Sequence, residues 1–158
     1  MMAGAARRRF FFVADFKKLH VWQKGHALSL CVDRICKQIR GGRYASLRSQ
    51  MYRAATSIPA NIAEGRRQDS EKEFARFLRY ALNSSSELEY HLILAHDTKT
   101  ISEEDFRSAI TQTIRVRKML YALLKVLSGS NRTPPAPARA HQSASPRPTA
   151  GPPSAPGR

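Results

Sequence analysis

The chain has 158 residues, 42% of them hydrophobic, and its 27 Lys+Arg against 12 Asp+Glu leave a net charge of +15. That length holds one ordinary core and excludes two comfortable domains. The cationic surplus points to polyanions, meaning RNA and/or DNA or an anionic membrane surface, between which charge alone does not choose. No stretch approaches the roughly 18 uncharged apolar residues of a membrane span, so no membrane-spanning segment is expected.

The surplus is unevenly spread. Residues 131 to 158 hold Arg132, Arg139, Arg147 and Arg158 without an acid, and residues 1 to 15 hold Arg7, Arg8, Arg9 and Asp15, which leaves +9 for residues 16 to 130. Residues 1 to 14 read as a basic, flexible extension. The apolar run Phe10 to Ala14 stops at Asp15 and Lys17, too short for the core of a signal peptide. A soluble, cytoplasmic protein is expected.

Four helical patterns follow, and no strand-like alternation competes with them. The first spans about Phe16 to Arg40, with Trp22 as an anchor near its start, Leu28, Val32, Ile35 and Ile39 on one stripe and Gly41-Gly42 as the stop. Cys31 and Cys36 lie about 140° apart around that helix, poor geometry for a disulfide, so both read as small apolar residues. The second spans about Ser46 to Glu64, with Leu47, Met51, Ala54 or Ala55, Ile58 and Ile62 on its stripe. Pro59 inside it removes one backbone donor and crowds the carbonyl of Ala55, predicting a kink, and Gly65 reads as the terminator.

Ser70 caps the third helix, with Glu73 completing a capping box. Phe74, Leu78, Ala81, Ser85, Leu88, Leu92 and Ala95 form its seam, and the small residues in its middle allow a neighbouring helix to approach closely. The fourth starts at Ser102, which caps Asp105, and runs to about Leu127, with Phe106, Ile110, Ile114, Leu120, Leu124 and Leu127 on one stripe. Met119, Leu123 and Val126 widen that stripe beyond what a small bundle uses, which predicts an oligomer interface. From 129 to 158 the composition turns to Pro, Ala, Ser, Gly and Arg, the signature of a disordered tail. The expected architecture is all-α, an up-and-down four-helix bundle over residues 15 to 128 followed by that tail.

The segments FKKLHVWQKGHALSL (16–30), LRSQMYRAATSIPANIAEGRR (47–67), SEKEFARFL (70–78) and SSSELEYHLILA (84–95) together resemble the four-helix-bundle family encoded in ribosomal-RNA intervening sequences, a family that also includes the accessory variability proteins of diversity-generating retroelements. The likeness covers roughly residues 15 to 127, and the run from Ser57 to Gly65 is its most distinctive part. It implies a basic, barrel-like homopentamer and, for retroelement members, binding to nucleic acid and to a reverse transcriptase. At His96-Asp97-Thr98-Lys99-Thr100 the chain departs from the Leu-Gly turn of its relatives.

No catalytic constellation emerges. Glu-x-x-His pairs of the kind that build di-iron bundles are missing, and His91 and His96, five apart, do not share a helix face. Ser84 to Ser86 lack a nucleophile elbow, and no Gly-rich phosphate loop occurs. No metal and no cofactor are expected. Phosphate binding has a physical basis, because cations on rigid helices release condensed counterions. Lys17, Lys18, Lys24, Arg48, Arg53, Arg66, Arg67, Arg76 and Arg79 are the candidates, with Arg66-Arg67 foremost, and Tyr44, Tyr52 and Tyr80 lie near enough in sequence for base stacking. The expected function is a non-catalytic, nucleic-acid-binding homo-oligomer that holds template RNA or cDNA for a reverse transcriptase. The alternative is an intervening-sequence bundle acting as a structural or protein-interaction module without that partner.

Overall fold

The computed structural model describes residues 15–130, so the expectations for the extension at 1 to 14 and for the tail from 131 onward lie outside the described residues. Helices α1 (His20–Gln38), α2 (Ala45–Arg66), α3 (Glu71–Asp97) and α4 (Glu103–Ser130) are joined by short connections, with single 310 turns at Phe16–Lys18 and Gly42–Tyr44. Each packs on its sequence neighbours, α2 against α3 most extensively, and α4 returns to α1 to close the up-and-down bundle.

The stripes read from the spacing of apolar residues line the core in the first three helices: Leu28, Val32, Ile35 and Ile39 of α1, Met51, Ile58 and Ile62 of α2, and the whole α3 seam from Phe74 to Ala95 are buried. Burying each large side chain contributes about 1.5–3 kcal/mol. In α4 Leu120 and Leu127 of the expected stripe are buried and Phe106, Ile110 and Leu124 pack against the core, but the fully buried line runs through Ala109, Thr113 and Val116, and Ile114 is 39% exposed. The rotation follows the small residues: Ala109 and Thr113 let α4 sit close, and the Thr113 hydroxyl donates to the Ala109 carbonyl at 2.8 Å, so nothing polar is stranded.

α2 continues unbroken through Pro59. The proline has no N–H to offer the Ala55 carbonyl four residues back, and that acceptor lies in the interior. Ser29 of α1 supplies the donor, its hydroxyl standing 2.8 Å from the Ala55 oxygen and 3.1 Å from the carbonyl of Gly25 in its own helix. Gly25, one turn away, faces the same part of α2, where a Cβ would lie 3.4 Å from Ile58 Cγ2 and 3.7 Å from Pro59 Cβ, at ordinary van der Waals distance.

The other polar residues of the same run join α2 to α3. Asn61 Nδ2 donates to the Ser57 carbonyl at 2.8 Å and lies 3.0 Å from Ser57 Oγ, Ser57 Oγ is 2.9 Å from Ser84 Oγ of α3, and Ser84 donates to the Tyr80 carbonyl at 3.1 Å. Gly65 does not terminate α2, which extends to Arg66. A Cβ there would fall 2.5 Å from Phe77 Cβ, so its glycine is a packing requirement of the α2–α3 contact rather than a stop signal.

The helix ends follow local chemistry with two departures. Gly41 takes φ 90° after α1, as a glycine stop should, and Ser70 Oγ accepts from Glu73 N at 3.1 Å. Glu73, however, pairs with Arg76 at 2.7 Å instead of closing the capping box. At the end of α3 the left-handed position is filled by Lys99 at φ 58°, with Thr100 N bonded to Ala95 O at 2.8 Å and Lys99 N to His96 O at 2.9 Å, a Schellman motif built without glycine.

Two stability measurements check these assignments. Ser29→Ala should cost about 1–3 kcal/mol in urea denaturation by leaving the Ala55 carbonyl unmet, and distinctly less in a Pro59→Ala background, where the helix recovers its own donor; equal costs in the two backgrounds would refute the assignment. Lys99→Gly should stabilise the fold by about 1 kcal/mol through relief of the left-handed strain, read as a rise of a few degrees in Tm.

Candidate nucleic-acid interface

Alternating helix direction divides the predicted cations between the two ends of the bundle. The 310 turn holding Lys17 and Lys18 packs beside α1 and α2. Lys24, Arg66, Arg67, Arg76 and Arg79 belong to that end, whereas Arg48 and Arg53 belong to the α1–α2 connection at the other. Lys17, Lys18, Lys24, Arg53, Arg67, Arg76 and Arg79 are exposed.

Arg66 is a correction to the sequence reading. It is 5% exposed, its guanidinium stands 5.7 Å from the centre of the Phe74 ring, and burial lowers its pKa. The expectation placed it in an exposed turn after Gly65; because α2 runs on through Gly65, position 66 rotates onto the aromatic ring instead. Arg48 is half-buried and also engaged with the fold, donating from Nη1 to the Ile39 carbonyl at 2.9 Å and so satisfying the end of α1. Arg76, besides its bond to Glu73, lies over the rings of Phe77 and Tyr80 at 5.4 and 5.8 Å.

Spacing also singles out a cation that the sequence reading missed. Lys72, Arg76 and Arg79 are all exposed and fall on one outward stripe of α3 at steps of four and three. Their field is diluted, since residues 64 to 79 hold five Lys/Arg but also Glu64, Asp69, Glu71 and Glu73. Residues 34 to 53, across the α1–α2 connection, hold six Lys/Arg and no acid. That connection leads into α2, whose first turn carries no acid and whose N-terminus has no side-chain cap. α3, by contrast, begins with Glu71 and Glu73 at the Arg66-Arg67 end, while α4 begins with Glu103, Glu104 and Asp105 at the same end as the α1–α2 connection, where Asp105 stands 4.0 Å from Arg34. The longest acid-free basic stretch therefore sits opposite the Arg66-Arg67 end, beside the acidic start of α4.

An open cleft of about 500 Å³ lies along this stretch, lined by Asp33, Lys37, Ile39, Arg48, Ser49 and Tyr52 among others. Cys36 contributes to it, and its thiol donates to the Arg48 carbonyl at 3.5 Å. Burial, with the nearby Asp33 charge adding to it, pushes that thiol up to about 11, so it is neutral and apolar at physiological pH. Both cysteines are free thiols.

The predicted oligomer residues are split. Met119 and Leu123 are half-buried and packed against the core, so they complete the bundle itself, whereas Val126 is 61% exposed. Their stripe turns inward because the small line Ala109–Thr113 rotates α4. The exposed large apolar residues of α3 and α4 are Tyr80, Tyr90, Ile93 and Leu94 on α3 and Ile114, Tyr121 and Val126 on α4. The Glu89–Arg117 ion pair between these helices fixes their register.

Among the described residues no group of three or more His, Cys, Asp or Glu is placed to hold a metal ion, and no helix is long and apolar enough to cross a membrane. His91 approaches Glu87 at 3.7 Å, and His96 approaches Glu103 at 2.7 Å while stacking on Phe106 with ring centres 4.3 Å apart. Both contacts tie neighbouring turns or helices together.

Comparison with known proteins places this architecture. The family model described as 23S rRNA-intervening sequence protein matches residues 17–122. Among solved structures the chain is similar to the crystal structure of a protein with unknown function from the S23 ribosomal protein family of Bacteroides thetaiotaomicron, at 27% identity and a TM-score of 0.63, covering 66% of this chain and 98% of that one. No curated protein matches.

The different placement of two adjacent arginines is open to test. Arg66→Gln should lower stability to urea by about 1–3 kcal/mol, whereas Arg67→Gln should stay within about 0.5 kcal/mol of the parent.

Proposed function

Because the chain belongs to the 23S rRNA-intervening sequence protein family, we propose that it is a helical scaffold without bond-making chemistry of its own, which self-associates and holds nucleic acid through backbone phosphates. The observation that carries the binding part is the acid-free basic stretch from residue 34 to 53, displayed on a rigid helix–turn–helix connection. Cations carried on an ordered backbone neutralise phosphates without a cost for ordering the chain, and binding led by such contacts is weakly selective for sequence. RNA is the first probe, since the matched family is described by an intervening sequence of ribosomal RNA.

The family description supports an intervening-sequence module better than an accessory to a retroelement reverse transcriptase, a role that rests on the resemblance alone. A second reading, in which the bundle serves protein contacts and its charge serves solubility, is favoured by the exposed apolar residues of α3 and α4. The same surface supports self-association, and the pentamer is the form that the resemblance implies.

Titration with single- and double-stranded oligonucleotides separates the two readings. Phosphate-led binding should weaken by about tenfold or more between roughly 50 and 200 mM salt. Affinity indifferent to salt, or no binding at low ionic strength, would leave the protein-contact reading. Light scattering should report an assembly larger than one chain; a monomer would remove the self-association.

A further inference from the structure

We infer that the cleft between the end of α1 and the start of α2 is a subsite for one unpaired nucleotide, whose base enters the cleft against Tyr52 while its phosphates stay on the arginine rim. The inference rests on the nucleic-acid reading above and gives it a location and a preferred substrate: single-stranded RNA or DNA.

Three features converge on that occupant. Tyr52 lines the cleft and is 46% exposed, so it offers an aromatic face to solvent. Ile39 and the neutral Cys36 thiol give the cleft an apolar lining suited to the flat face of a base. Around it, Arg40, Arg43 and Arg53 are exposed and next or nearly next in sequence to lining residues, and no acid lies between residues 34 and 53. A cleft of about 500 Å³ falls within the range of small-ligand sites.

Charge sets the orientation. Inside the cleft the Asp33 carboxylate holds the Lys37 ammonium at 2.6 Å, and the Arg48 guanidinium is engaged with the Ile39 carbonyl, so the interior offers a phosphate little free positive charge and one repelling group. The same carboxylate can accept from the amino or imino N–H of a base, and the Ser49 hydroxyl also lines the cleft. The exposed arginines outside meet the phosphates on either side. A duplex cannot use this arrangement, because its bases are already stacked and paired.

The test uses the full chain and a fluorescein-labelled, unstructured single-stranded RNA of about a dozen nucleotides, compared with its duplex. Tyr52→Ala should weaken single-strand binding by about 5- to 100-fold, with Tyr52→Phe within about twofold of the parent and duplex binding little changed. Arg40→Gln with Arg53→Gln, both exposed and remote from the core, should lower the single-strand salt slope by about 1.4. A photo-crosslink from a 4-thiouridine in the oligonucleotide should map to the peptide containing Tyr52. If the parent binds in a salt-dependent way but these variants match it and the crosslink maps elsewhere, the cleft is not the subsite, although the nucleic-acid reading stands. If the parent binds neither probe at low ionic strength, the reading itself falls and the cleft with it.

Discussion

A proline in the middle of α2 sets the terms for the rest of the bundle. Pro59 leaves the Ala55 carbonyl without its intrahelical donor, and an interior acceptor left unmet costs about 1–3 kcal/mol. Ser29 meets it from α1, a solution that works only if the two helices come close at this point. The bond is therefore a constraint on register as much as a source of stability. Sliding α1 along α2 by one turn would carry Ser29 away from the only carbonyl that the proline has released.

The distinctive run from Ser57 to Gly65 is accounted for by packing of this kind. Ile58 and Ile62 fill the core, Ser57 meets the hydroxyl of Ser84 on α3 while Asn61 bonds back to Ser57, and Gly65 makes room for Phe77. A motif that stands out in a sequence invites a functional reading, and this one is occupied by holding α2 between its two neighbours. The consequence for function is indirect: once α2 is fixed on both sides, the cations on its outer surface and on the α1–α2 connection are presented at fixed spacing.

Electrostatics differ between the helix connections because acids and caps are distributed differently. The starts of α3 and α4, at opposite ends of the bundle, use Ser caps and acidic first turns, which stabilise the helices through their dipoles and offset nearby arginines. The α1–α2 connection uses glycines and a 310 turn and carries no acid. Within a connection, positive charge is thus least offset where the helix ends are held by backbone geometry rather than by carboxylates, and the acids nearest to that connection are those at the start of α4. The exposed apolar residues gather on α3 and α4, so the elements carrying the longest acid-free basic stretch and those carrying most of the apolar surface are different pairs of helices.

The sequence by itself determined the number of helices, the core stripes of α1 to α3, the Ser70 and Ser102 starts and the excess of positive charge, because spacing of three and four and capping chemistry act over a single turn and need no knowledge of neighbours. On α4 it found Leu120 and Leu127 and the flanking Phe106, Ile110 and Leu124, but it counted the exposed Ile114 and missed Ala109, Thr113 and Val116, because several apolar lines compete along that helix and only contact with α1 and α3 selects among them. It also misjudged Arg66 and Gly65, since a glycine that ends a helix and one that admits a neighbouring ring look alike until the ring is in place. Which arginines are free, which donor meets the Ala55 carbonyl and where a cleft opens were decided by the tertiary structure alone, because exposure depends on how each helix is rotated against the others.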